Sequence, residues 1–478
     1  MGFVGRTKQI AELDALFEPV RRGRRADKGA AVLLRGRRRI GKSRLATEFA
    51  ARTGAPTVAF EAARRAPADQ ELAEFAAAIA ASPLPDAAIA DGAAPGTLTA
   101  ALTLLDAALP ATAPSIVIID EAPWLLEKFP GGAGELQRVW DQRLSRKPVL
   151  LLLVGSDISA MEQLAGPDQP FYGRASEMVL GPLTPAEVAD MTGTSGIDAF
   201  DALLITGGQP LIAQEWEPGM GTGDFLGASF QRSTSALVVS GTRILDGRLG
   251  AGTVQRDVLT AIGGRGERTF AAIQRATPGG QLATTTVTNT LERLIEQRLI
   301  VAEEPLSAKP AHKLRRYRIA DPALRYWLAF VEPALGDIDR GRPDLALARH
   351  AAGYPSWRGR AIEPVVRESL WRCLAGTRWS DAGALGGWWN RANRPEIDLV
   401  AADRRPASRI EFVGTVKWRP DRPVDAADRA ALADGATAVL GAGPGTDLVA
   451  VCPAGGTDDA GFAQVWTAGD LLAAWADR

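Results

Sequence analysis

The stretch GRRRIGKS at residues 36–43 limits the fold of this chain more than any other feature. It follows a short apolar strand at 31–34 and opens an amphipathic helix with Leu45, Phe49 and Ala50 on one side. Strand, glycine loop and helix in this order form a phosphate-binding loop: the glycines let backbone N–H groups turn inward around an anion at a helix N-terminus. On this reading Gly36, Gly41, Lys42, Ser43 and Arg44 line a nucleotide. Lys42 reaches the β and γ phosphates and the Ser43 hydroxyl ligates Mg²⁺. A chance glycine turn is the plain alternative, and both spacing and context disfavour it.

Two further apolar runs support this. SIVIIDEAPWLL at 115–126 is continuous, as a buried parallel strand requires, and its apolar part ends in two acids. Asp120 is expected to hold the Mg²⁺ water shell, and Glu121 to orient or deprotonate the attacking water. VLLLLVGSDISAM at 149–161 reads as a third strand, and Ser156 beyond it is a candidate γ-phosphate sensor, although Gly-Ser is also ordinary loop chemistry.

Around these strands the chain resembles the archaeal-type ATPases, a branch of the STAND/AAA+ P-loop proteins. The resemblance rests on FVGRTKQIAEL at 3–13, FYGR at 171–174 and GGQP at 207–210, in that order along the chain. It implies that Gly5 and Arg6 lie near the adenine, that Arg174 senses charge and that Pro210 reaches the nucleotide from a helical lid. The bland reading of Arg174 is a solvated surface arginine. ATP and Mg²⁺ are the cofactors expected.

The chain has 478 residues, too many for one core. With 46% hydrophobic residues, 23% charged residues and a net charge of −1, it reads as a globular protein whose basic surfaces, if any, are local. Cys373 and Cys452 cannot build a disulfide framework, and no apolar run approaches a membrane span. The expectation is a cytoplasmic protein without a membrane partner. The domains expected are a P-loop ATPase core (1–190), a helical lid and connector (191–250), a winged helix-turn-helix (251–325), a linker (326–350) and a C-terminal α/β domain (351–478).

For the middle domain, QRDVLTAIGG, RTFAAIQRAT and TTTVTNTLERLIEQRLI show helical spacing, followed by two strands around a basic loop. Such a winged helix would offer Thr285, Thr286, Thr288, Asn289 and Arg293 to DNA, with Lys309, Lys313, Arg315 and Arg316 on the wing. Glu292, Glu296, Glu303 and Glu304 dilute that face, so internal packing against the nucleotide core stands beside DNA contact.

The C-terminal order of helix, strand, strand with lysine, helix and strand resembles the PD-(D/E)xK (restriction-endonuclease-like) nuclease fold, and in particular the domain of that type fused to archaeal-type ATPases. GRAIEP around Glu363, the WW pair at 388–389, EIDLV with Asp398 and GTVKW with Lys417 carry it. Such a site needs a carboxylate two residues before the lysine, on the same strand face, and Thr415 stands there. Glu411 has the right parity but lies about 20 Å along the strand from Lys417. Glu396 precedes Asp398 by two residues, so an Asp398–Glu363–Glu396 cluster is the remaining way to hold a metal. The overall expectation is an ATP-binding and ATP-hydrolysing switch controlling a nuclease-like domain with impaired cleavage. The alternatives are an ATP-gated, metal-dependent DNA nuclease of defence or mobile-element type, and a nucleotide-regulated DNA-binding or scaffold protein acting with a protein partner or a second copy of itself.

Overall fold

The computed structural model describes residues 2–23, 28–249, 254–277, 282–309 and 312–476. The chain divides after Pro182 into Met1–Pro182 and Leu183–Arg478. The helix Pro185–Thr192 therefore belongs to the second unit, whereas the sequence reading ends the core at residue 190.

The first unit is built on a parallel sheet of β1 (Ala30–Gly36), β2 (Thr57–Glu61), β3 (Ser115–Asp120), β4 (Val149–Gly155) and β5 (Ala175–Leu180), in the order β2-β3-β4-β1-β5. β3 and β4 are buried along their whole length, because helices cover both faces of the sheet. Side chains alternate across a strand. Thus Leu151 and Leu153 of β4 join one core with Phe60, Phe75 and Leu102, while Leu150, Leu152 and Val154 join the other with Phe17 and Phe49. The sheet order places β4 between β3 and β1. The carboxyl ends of all three lie together, where open α/β sheets bind ligands.

The second unit begins with helices Pro185–Thr192 and Gly196–Thr206. The Gly/Ser/Thr-rich segment 216–250, read as a connecting stretch, contains helices Thr222–Phe230 and Ala236–Leu249. Trp216 stacks on Phe225 with ring centroids 4.2 Å apart. Gly241 lies under Trp327, where an added Cβ would sit 2.0 Å from the indole ring. Here glycine permits a close approach between helices and does not break one. The expected boundary at 250/251 lies outside the described residues.

Next come helices Val254–Ile262, Phe270–Ala276 and Thr284–Glu296, with an antiparallel sheet of β6 (Arg268–Thr269), β7 (Ile300–Glu303) and β8 (Arg316–Ile319) in the order β6-β8-β7. The expected linker at 326–350 is largely helical, and residues 326–331 are buried. Helix Pro322–Tyr326 runs into a π-helical turn, Trp327–Val331, and helix Pro343–Ala361 follows after two short helical segments. Tyr326 and Phe330, like His350 and Tyr354, are four residues apart and share a helix face, and with Trp357 they form one aromatic cluster. Residues 340–342 form an exposed turn before helix Pro343–Ala361.

The C-terminal sheet is mixed. β9 (Ala384–Trp389), β10 (Glu396–Ala402) and β11 (Ile410–Val416) are antiparallel, and β12 (Asp447–Val451) and β13 (Gln464–Trp466) continue in parallel, giving β13-β12-β11-β10-β9. Helix Glu363–Cys373 precedes it and helix Ala426–Ala436 crosses from β11 to β12. No helix among the described residues is long and apolar enough to cross a membrane.

Candidate functional site

The loop from Gly36 to Gly41 leaves β1 and enters helix Lys42–Thr53, whose N-cap Gly41 has φ of 92° and provides no side-chain cap. The first N–H groups of that helix thus have neither an intrahelical partner nor a capping side chain, which is the donor set an anion requires. A Cβ on Gly36 would lie 2.5 Å from the Leu180 carbonyl, so the close approach of β5 excludes any side chain at this position. Lys42 is buried and its Nζ donates to the carbonyls of Gly36 and Arg37, each at 3.0 Å. Burial pulls Lys42 below its ordinary pKa, and the charges of Glu121 and Asp120 partly offset this. A phosphate oxygen offers this ammonium a stronger, charged acceptor than the carbonyls it now uses.

The acid that ends β3 and the one that follows it face this lysine. Asp120 is buried, and its Oδ1 accepts from the Glu121 N–H at 2.9 Å. Glu121 takes a left-handed conformation, φ 50°, at the start of helix Ala122–Glu127. Its Oε2 accepts from the Ser156 hydroxyl at 2.9 Å and the Ser156 N–H at 3.2 Å. Lys42, Asp120, Glu121 and Ser156 are therefore brought together, while Ser43 and Arg44 are exposed on the helix. The sequence reading missed Arg38. Its guanidinium lies 5.5 Å from the Trp124 ring centroid, with Nε 3.4 Å from Ser156 Oγ, and only its place in the loop could have signalled it.

Arg6, Arg44 and Arg174 are each held by partners within the first unit. Arg6 is buried, and its Nη2 donates to Ile40 O at 3.1 Å and its Nη1 to Pro182 O at 3.3 Å. It straps the glycine loop from behind, next to Gly5 with φ of 72°. Arg44 donates to the Gly2 carbonyl at 3.2 Å. Arg174 holds Asp141 with Nε at 2.8 and 3.1 Å from its two oxygens. Pro210 opens the short helix Pro210–Ala213 of the second unit. Gly207 serves packing, since a Cβ there would meet the Ala323 nitrogen at 2.3 Å.

In the C-terminal sheet, Asp398 Oδ2 accepts from Thr415 Oγ1 at 3.0 Å and from the Val416 N–H at 2.7 Å. The hydroxyl standing where a carboxylate is expected is thus a donor to the neighbouring acid. Glu396 turns to Arg316 of β8, whose Nη2 also reaches Asn393 Oδ1 at 2.7 Å and whose guanidinium lies 4.2 Å from the Trp389 ring centroid. Glu363 faces Arg367 at 3.8 Å. Among the described residues no group of three or more His, Cys, Asp or Glu side chains is arranged to hold a metal ion. Glu363, Glu396 and Asp398 of the expected cluster line one pocket, but each is held by other partners and the three are not arranged as ligands of one ion. Burial raises Asp398 despite its two donors and the nearby Lys417 charge, and burial with the Asp398 charge pushes Glu363 up to about 8. Glu411 pairs with Arg409, away from this site.

The expected wing is also changed. Lys309 and Lys313 are exposed, but Arg315 pairs with Glu304 at 2.6 Å and Arg316 is buried. The segment between β7 and β8 lies along the C-terminal sheet: the Leu306 N–H donates to Gly387 O and Trp389 Nε1 to Leu314 O, both at 2.8 Å. Arg316 is thus removed from any surface that touches DNA. In helix Thr284–Glu296, Thr285, Thr288, Asn289 and Arg293 are exposed and Thr286 is half-buried, while Val287, Leu291 and Leu294 pack inward.

The fold and the residues at the sheet's edge define a P-loop nucleotide-binding domain of α/β type followed by a separate mixed-sheet domain. Residues 2–155 match a family described as AAA ATPase domain, and residues 327–428 match one described as archaea bacterial proteins of unknown function. An uncharacterized protein of Methanocaldococcus jannaschii is 25% identical over 308 residues, covering 64% of this chain and 67% of that protein. Among solved structures, a Walker-type ATPase of Pyrococcus abyssi is 19% identical over 68% of this chain and 96% of its own, with a TM-score of 0.46. The ORC2 protein of Aeropyrum pernix, solved as ADPNP–ADP complexes, is 15% identical over 73% of this chain and 96% of its own, with a TM-score of 0.40. The match to the AAA ATPase domain lies wholly within the N-terminal unit.

Proposed function

We propose that this chain is an ATP-driven switch in which the N-terminal unit binds and hydrolyses ATP and thereby governs what the C-terminal body can touch. The observation that carries this reading is the convergence of the glycine loop, Lys42, Asp120, Glu121 and Ser156 at the ends of β1, β3 and β4. Lys42 and the helix N-terminus grip the triphosphate. Mg²⁺, held by Ser43 and Asp120, would neutralise charge on the β and γ phosphates. Glu121 orients water, and its bond to Ser156 ties that carboxylate to the residue placed to sense the γ-phosphate. The mixed sheet is read as a nuclease-like domain impaired in cleavage, since Thr415 supplies a donor where an anionic ligand is needed.

Lys42→Ala is expected to abolish nucleotide binding and turnover, measured by filter binding and phosphate release. Glu121→Gln should bind ATP normally and lose turnover by about 100-fold or more. Wild-type turnover in Lys42→Ala would exclude the site.

A second reading, a nucleotide-regulated DNA binder, is favoured by the exposed Thr285, Thr288, Asn289 and Arg293. The three helices and antiparallel sheet at 254–319 support a winged helix here. Gel shifts should then weaken steeply with salt, and Arg293→Ala should weaken them further. Absence of a shift at low salt would favour a protein partner.

A further inference from the structure

Arg38 stands in the glycine loop between Gly36 and Gly41 and is exposed. Its guanidinium lies over Trp124, on the helix that begins directly after Glu121, 5.5 Å from the ring centroid. Its Nε is 3.4 Å from Ser156 Oγ, and that hydroxyl donates in turn to Glu121 Oε2 at 2.9 Å. Its charge also reaches Lys42, whose own ammonium it opposes. One loop cation is thus placed beside Lys42, Glu121 and Ser156 together.

These contacts leave most of the guanidinium unused. An arginine offers five N–H donors. Arg38 uses Nε on Ser156, at the long limit of a hydrogen bond, and neither Nη has a hydrogen-bond or ion-pair partner among the described residues. Stacking on Trp124 steadies the guanidinium plane without consuming those donors. Two other arginines of this unit are already committed: Arg6 to the Ile40 and Pro182 carbonyls, and Arg174 to Asp141. A planar fork with open donors, held next to the phosphate-loop lysine, matches the oxygens of a terminal phosphate.

We propose that Arg38 grips the γ-phosphate of ATP and stabilises the charge that shifts across it during hydrolysis, so that the phosphate loop supplies its own arginine in cis. This rests on the nucleotide reading above and adds a residue to that site. In the reaction a water oxygen bonds to the γ-phosphorus as the bond from that phosphorus to the bridging oxygen breaks. ADP leaves with the electron pair of that bond, and one water proton passes by way of Glu121 to the released phosphate. Arg38 exchanges no atom. Its Nη groups hold γ-phosphate oxygens, and its Nε keeps it in register with Ser156, the residue that holds Glu121. ADP has no γ-phosphate, so the same contact distinguishes ATP from ADP.

The test is nucleotide binding and turnover by the full chain in Mg²⁺ buffer, with ADP and the non-hydrolysable imido analogue of ATP as binding probes. Arg38→Ala should bind ADP as wild type does, bind the analogue about tenfold more weakly and turn ATP over about a hundredfold more slowly. Free guanidinium ion should restore part of that turnover. Arg38→Lys, which keeps the charge without the fork, should fall between. Mixing Arg38→Ala with Lys42→Ala should leave turnover low; recovery would mean that the arginine serves a second copy and would overturn the assignment in cis. Wild-type turnover in Arg38→Ala, or an equal loss of affinity for ADP and the analogue, overturns the proposal, the latter because a residue that only props the loop would give it. Should Arg38→Ala lack a wild-type near-ultraviolet spectrum, Arg38→Gln is judged by the same criteria. An inactive Lys42→Ala beside an active Arg38→Ala removes Arg38 alone, whereas turnover in Lys42→Ala removes the nucleotide site and this proposal with it.

Discussion

At Gly36 a single hydrogen in place of a methyl group lets β5 pass within 2.5 Å of where a Cβ would lie. Gly36→Ala should therefore force the loop and strand apart. A loss of about 1–3 kcal/mol is expected for such overpacking, read as a lower thermal midpoint together with weaker nucleotide binding. His350 makes a second prediction at this scale. It is buried against Tyr326, Phe330 and Tyr354, its Nε2 has no partner, and burial lowers its pKa from 6.5 to about 4. As pH falls from 6.5 the unfolded chain takes up a proton that the folded chain refuses. Stability is thus fully present above pH 6.5 and falls by up to about 3 kcal/mol as pH approaches 4. Melting curves of His350→Phe across that range should lose this part of the slope. The proximity of Lys42, Asp120 and Glu121 could be read from short runs of neighbouring residues. The partners of Arg6 and Arg174 could not, because Ile40, Pro182 and Asp141 lie 33 or more residues away in sequence.

At the scale of elements, the strand parity argument placed Asp398 and Thr415 on one face, and their 3.0 Å bond agrees with it. What parity could not show is that Glu396 would be taken by an arginine from another sheet, 80 residues away. With Glu396 engaged and Thr415 acting as a donor, Mg²⁺ or Mn²⁺ alone should produce no robust nicking of plasmid DNA. Metal-dependent cutting that Asp398→Ala stops would show that the hydroxyl suffices after all. The segments read as connector and linker became helices for a common reason. Small residues such as Gly241 open space for Trp327, and the aromatic spacing at 326–330 and 350–354 builds a buried face whatever the surrounding Arg and Pro content.

At the scale of the whole molecule, the switch reading requires that nucleotide in the first unit be felt in the second. Saturating a binding site stabilises the state that binds, by about 2.7 kcal/mol at a hundredfold excess over the dissociation constant. Hydrogen exchange with a non-hydrolysable ATP analogue should slow at 36–43 and 120–121, and its rate should change at 304–309 and 312–319, in the segment that docks on the C-terminal sheet. Protection confined to the first unit would leave the two units uncoupled and remove the basis for a switch. The sequence alone determined the parallel P-loop sheet, its phosphate cradle and the alternation of the acidic strand, because glycine spacing, apolar runs and strand parity act over a few residues. Only the tertiary structure decided which charges meet. The pairing of Arg316 with Glu396, the burial of residues 326–331 and the engagement of all three candidate metal carboxylates depend on how separately folded elements dock, and no local pattern encodes that docking.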